Sequence, residues 1–183
     1  MKRNIVVKRV LEYAFTAILL IPMTSIAENP ATMKNVAPFD VSANGSEAVI
    51  DFDVTEHRVY TFSLGFRFDD SEEKKRVAEL AGSGVKGKDG RHINPGVKIP
   101  IEIQVYSLPD EGFPVLVLSQ NKVTEGKYAS GLGSGYHYRS IAGVPLRKGR
   151  YRVHAISRES HAELKGAKTY LIVGTYTKVD PLP

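Results

Sequence analysis

Apolar residues occupy every second position from Tyr60 to Phe68. Tyr60, Phe62, Leu64, Phe66 and Phe68 share one phase, and Val59, Thr61, Ser63, Gly65 and Arg67 fill the other. Side chains alternate across a strand, so this spacing predicts a β-strand with one aromatic, core-facing side. Ala48, Ile50, Phe52 and Val54 alternate with Val49, Asp51 and Asp53 just upstream, which predicts a half-buried strand with an acidic outer face. The short link Thr55–Arg58 predicts that the two strands form an antiparallel hairpin. Further strands are expected at Phe39–Val41 (a short edge), at Ile99–Val105, where Pro100 marks an edge or a strand start, at Arg150–Ala155 and at Tyr170–Tyr176. The unbroken apolar run Val115–Leu118 predicts a strand covered on both faces.

One helix is expected, over Asp69–Ala81. Asp70 can cap its first turn, Glu73 follows three residues later, and Gly82 can end it. Gly82–Pro95 carries four glycines and no periodicity, and reads as a mobile surface loop; Asn121–Gly143 reads as a second long irregular stretch. Strands that follow one another without intervening helices predict antiparallel pairing. The fold expected is therefore all-β: a two-layer antiparallel β-sandwich of seven or eight strands with one short helix.

The N-terminal region alters the charge balance. Lys2, Arg3, Lys8 and Arg9 precede the apolar run Ala14–Ile21, and Ser25-Ile26-Ala27 places small residues where a signal peptidase reads. Residues 1–27 are thus expected to be a signal peptide cleaved after Ala27, since the run is well short of the ~20 residues a spanning helix needs. An arm at 28–38, a single sandwich domain at 39–178 and a tail at 179–183 complete the expected organisation. The leader holds four of the 25 basic residues and one of the 20 acidic ones. The remainder has 21 against 19, or +2, which gives no ground for a nucleic-acid partner. Without cysteine there is no disulfide and no lipidation site, so periplasmic export without a membrane anchor is expected, with full secretion as the alternative.

No motif with a defined reaction stands out. Gly131-Leu132-Gly133-Ser134-Gly135 is neither a dinucleotide fingerprint, nor a P-loop, nor a nucleophile elbow. The five histidines lack the spacing of a helical zinc site, and no metal or cofactor is expected. The acidic positions Glu47, Asp51 and Asp53 and the basic positions Arg150, Arg152 and His154 would pair across strands if those strands are neighbours. Tyr136, His137, Tyr138 and Arg139, leading out of the glycine-rich segment, combine aromatic and charged groups of the kind enriched at interfaces. They are the expected binding residues, with the Gly82–Pro95 loop beside them.

Four segments, Pro38-Phe39-Asp40-Val41-Ser42, Val54–Tyr60, Ile93-Asn94-Pro95-Gly96 and Leu146–Val153, together resemble a family of small exported proteobacterial proteins known as a domain of unknown function. The likeness runs from about Pro38 to Tyr176. It implies an all-β sandwich in the cell envelope and carries no catalytic residues; many relatives look like lipoproteins, from which this chain departs. The functional expectation is a non-enzymatic periplasmic protein that binds another protein, in its sharper form an immunity-type inhibitor of a secreted antibacterial toxin. A small-ligand or glycan-binding module is the alternative, and a hydrolase with a dispersed site the remote one.

Overall fold

The computed structural model describes residues 35–126, 129–130 (backbone) and 135–175. The leader, most of the arm, the glycine-rich 131–134 and the end from 176 lie outside the described residues. Two antiparallel sheets form a β-sandwich. One has the order β1 (Val36–Pro38), β9 (Lys168–Thr175), β3 (Arg58–Arg67), β7 (Tyr136–Leu146) and β6 (Ala129–Ser130). The other has the order β2 (Glu47–Val54), β8 (Gly149–Ser157), β4 (Ile99–Ser107) and β5 (Val115–Thr124).

The apolar phases of β2 and β3 are both buried, as their alternation requires. The two strands do not form the expected hairpin. β2 pairs with β8 and β3 pairs with β7 and β9, so Thr55–His57 carries the chain from one sheet to the other. Facing the strands across the core lets each cover the other's apolar side. The Phe52 ring sits 5.9 Å from Tyr60, 6.0 Å from Phe62 and 5.9 Å from Tyr151, centroid to centroid. Tilted, edge-to-face and stacked contacts of this kind add about 0.5–1.5 kcal/mol per pair beyond area burial.

On the outer face of the second sheet two of the anticipated cross-strand pairings form. Asp51 lies opposite Arg152, which donates from Nε at 2.6 Å and from Nη2 at 2.8 Å, and His154 Nε2 lies 3.0 Å from Glu47. These groups pair with each other and are thereby removed from any list of binding residues.

Helix α1 (Ser71–Ala81) begins where the sequence indicates. The Asp70 carboxylate accepts hydrogen bonds from the backbone N–H of Glu72 (2.9 Å) and Glu73 (2.8 Å), a cap typically worth about 1 kcal/mol. The Glu73 side chain reaches one residue further back than a capping box would, to the Asp69 N–H at 2.8 Å. Val77 and Ala81 are its buried side, against β3 and β7.

Three local expectations are corrected. The N-terminal edge strand is Val36–Pro38, within the segment read as an arm; Phe39 and Val41 beyond it are buried in a loop. The loop after α1, where no regular structure was expected, contains paired backbone: Lys86 bridges His92, Ile93 N–H donates to Val85 O at 3.0 Å, and Gly87 N–H donates to Arg91 O at 2.8 Å. The irregular stretch read at 121–143 is shortened from both sides, because β5 runs on to Thr124 and β7 starts at Tyr136.

The open side of the sandwich as candidate functional site

The four residues singled out as binding anchors lie on strand β7, and strand alternation divides them. His137 and Arg139 pair with Phe66 and Leu64 of β3 and point into the core; Tyr136 and Tyr138 pair with Arg67 and Gly65 and lie on the outer face. They are therefore not four exposed anchors on a loop. His137 is buried against the Phe68 ring, 4.9 Å between centroids.

Arg139 is fully buried and joins three segments. Its Nε donates to Ala81 O at 2.9 Å and its Nη2 to Leu80 O at 2.6 Å and Pro95 O at 3.2 Å; Nη1 donates to Val97 O and, at 3.4 Å, to Thr124 O. The guanidinium also lies over the Phe66 ring, 5.1 Å from its centroid. The Leu80 and Ala81 carbonyls end a helix, where the macrodipole places partial negative charge, so the cation is compensated without a contacting carboxylate. Burial nevertheless pushes its pKa down from the usual arginine range to about 10, with Glu125 opposing the shift. The expected proximity to the Gly82–Pro95 loop is real, but it is a structural junction. Gly96 (φ 62°) makes it possible: a Cβ there would stand 2.3 Å from Leu80 O and 2.5 Å from Arg139 Nη2.

On the outer face of the first sheet, Tyr136 stacks on Tyr138 (5.8 Å) and meets Tyr170 edge-on (5.8 Å). Gly65 lies beneath: a Cβ there would fall 2.4 Å from Ile172 Cδ1. Burial raises the pKa of both Tyr136 and Tyr138. Arg67 and Lys168 rim the cluster, both bound to Asp69. Asp69 is held below the usual carboxylate range chiefly by the Lys168 hydrogen bond.

The most exposed apolar surface is elsewhere, on β5. The run Val115–Leu118 is not covered on both faces, because β5 is an edge strand paired only with β4 among the described residues. Val115, Leu116, Val117 and Val123 are 42–59 % exposed, and Phe113 just before the strand is 89 % exposed. Beside β5, a cleft of about 740 Å³ opens between the two sheets. Lys86, His92, Gln120, Lys122, Glu125 and Ser140 contribute to its wall. Glu125 is engaged by Lys98 at 3.5 Å and His92 Nδ1 by Ser83 O at 2.9 Å, whereas neither Lys86 nor Lys122 has a carboxylate within ion-pair distance among the described residues. No group of three or more His, Cys, Asp or Glu placed to hold a metal occurs among the described residues.

The sequence contained a signal for this edge that the apolar run concealed. After Leu118 both phases turn polar, Ser119-Gln120-Asn121-Lys122, which a strand with a covered inner face does not tolerate.

The sandwich is similar to a crystal structure of a protein from Sulfurospirillum deleyianum, with a TM-score of 0.66 and 21 % identity, covering 78 % of this chain and 97 % of that one. At that identity the likeness concerns the fold. No curated protein matches the chain. A family model described as a domain of unknown function, DUF5625, matches residues 36–175, from the first residue of β1 to the last of β9, and the chain belongs to that family.

Proposed function

We propose that the chain is an exported, non-enzymatic protein that binds another protein by taking an extended segment of it as an additional strand beside β5. The observation that carries this reading is the apolar edge strand itself. Soluble proteins blunt such edges with charges, prolines or covering loops, because unpaired N–H and C=O groups beside apolar side chains recruit another strand. On β5 the stretch Val115–Leu118 carries no charge and no proline, while the neighbouring outer face of the same sheet is covered by ion pairs. Each half-exposed Val or Leu offers about 1 kcal/mol on burial, and the ladder adds direction and register. Export rests on the leader pattern at 1–27, with the periplasm as the compartment. An immunity-type inhibitor that occupies an incoming toxin fits a small sandwich with an uncovered edge.

The test compares the wild-type chain with a Leu116→Lys, Val117→Lys variant. Both are immobilised and exposed to envelope and secreted fractions, and bound proteins are read by mass spectrometry. A stoichiometric partner held by the wild type and lost by the folded variant supports the reading, and a partner retained equally by both removes it.

A second reading, a glycan-binding module, is favoured by the tyrosine cluster on the opposite sheet, since aromatic faces stack on sugars. A rise in melting temperature with a glycan panel, abolished by Tyr138→Ala, would favour it.

A further inference from the structure

We infer that the segment bound beside β5 alternates acidic and apolar residues, with its acidic side chains facing the cleft. This rests on the edge-strand reading above and adds the partner's chemistry to it.

The register fixes which β5 side chains face inward. Ile99, Ile101, Ile103 and Val105 of β4 are buried between the sheets, and their partners across the ladder are Thr124, Lys122, Gln120 and Leu118. Directly paired residues share a face, so Gln120 and Lys122 project to the inner side. Leu116, Ser119, Asn121 and Val123, opposite Tyr106, Gln104, Glu102 and Pro100, belong to the outer face, which is apolar only towards its two ends, and a register shift sets Val117 between the two phases. Inner positions on a sandwich strand are ordinarily apolar; here they are an amide and an ammonium at the wall of an open cleft.

A strand laid along β5 has the same alternation. Its inward side chains hang over the cleft beside Gln120 and Lys122, with Lys86 on the facing loop. Its outward side chains lie beside Leu116, Ser119, Asn121 and Val123. The one carboxylate in the wall, Glu125, is engaged by Lys98, so Lys86 and Lys122 leave a positive balance there. Carboxylates on the inward positions complement that charge, and apolar residues on the outward ones complement Leu116 and Val123 at the two ends of the other face. The same geometry disfavours a second copy of this chain. Antiparallel pairing of two β5 strands keeps both inner faces on one side, which adds a second set of Gln120 and Lys122 side chains to a side that already carries a positive balance.

The experiment measures fluorescence anisotropy with the protein purified as exported. Three labelled synthetic peptides serve as probes: alternating Val-Glu, alternating Val-Lys, and the Val-Glu peptide N-methylated at every second amide so that it cannot join a ladder. The expected result is at least tenfold tighter binding of Val-Glu than of Val-Lys, loss with the N-methylated probe, and reversal of the preference in the Lys86→Glu, Lys122→Glu variant. Both substitutions are at exposed positions, so the variant retains the fold. If Val-Glu and Val-Lys bind equally and N-methylation abolishes both, the acidic preference is overturned and strand addition stands. If N-methylation changes nothing, or neither unmodified probe binds, strand addition itself is overturned.

Discussion

Replacing Arg139 by methionine keeps an unbranched side chain of similar length and removes the donors that hold five carbonyls together. The Ala81 and Thr124 hydrogen bonds are buried, and an acceptor left unsatisfied there costs about 1–3 kcal/mol, with Thr124 at the low end because its contact is long. The Leu80, Pro95 and Val97 contacts are partly buried, so water recovers part of each and about 1 kcal/mol apiece is a fair figure. An opposing contribution is the relief of burying a cation. A guanidinium whose pKa burial lowers to about 10 carries a desolvation cost on the order of 3 kcal/mol that methionine does not incur. The net expectation is a loss of about 3 kcal/mol, or about 10 °C in melting temperature for a domain of this size. Urea unfolding at constant slope gives the number, and hydrogen exchange adds the location. The amides of the last turn of α1 and of Pro95–Val97 should lose protection before the strands do. Arg139→Lys should recover only part of the loss, since an ammonium has three donors and no planar fork. A methionine variant within about 0.5 kcal/mol of wild type would refute the reasoning, because the five contacts would then offset nothing beyond the cost of burying the charge.

Gly96→Ala should destabilise by more than 1 kcal/mol in thermal unfolding, since it combines a positive φ with a Cβ driven into Leu80 O and Arg139. By contrast, Gly90→Ala, also at positive φ but with no atom near the new Cβ, should cost about 1 kcal/mol. Acid should unfold the chain in part through surface carboxylates. The Arg152 hydrogen bond holds Asp51 below its usual range, as Lys168 holds Asp69 and Arg158 holds Glu102. Folded values below the unfolded ones mean stability that is present above about pH 4 and lost as pH falls through the folded values. Asp51→Asn with Asp69→Asn should therefore flatten the stability curve below pH 4 and leave its shape above pH 5 unchanged, as read by urea titrations across that range. Leu116→Lys with Val117→Lys should change stability by less than about 1 kcal/mol in urea unfolding, because both positions are largely exposed.

The sandwich was legible because its signal is local. The alternation in β2, β3 and β8 fixes which side chains go inward whatever the strand order, and Asp70 and Gly82 mark the helix ends through their own backbone chemistry. Partner choice was not local. Val54 and Arg58 stand close enough for a hairpin, yet the aromatic sides of β2 and β3 are better buried face to face, and nothing in either strand alone distinguishes the two outcomes. Tyr136–Arg139 shows a second limit. Two tyrosines, a histidine and an arginine in a row look like a contact surface, but a strand sends alternate members to opposite sides. Whether an arginine points to solvent or to five carbonyls depends on Leu80, Pro95 and Thr124, which are remote in sequence. The apolar run of β5 presents the converse problem, since hydrophobicity reads as burial until the strand is known to lie at an edge.

The edge itself can be examined directly by hydrogen exchange of the protein with and without any partner that the immobilised chain captures, followed amide by amide along Val115–Thr124. Strand addition predicts that alternate β5 amides, those facing away from β4, become protected on binding while the tyrosine cluster on the other sheet is unchanged. Unaltered exchange throughout β5, with protection appearing at Tyr136, Tyr138 and Tyr170 instead, would contradict it.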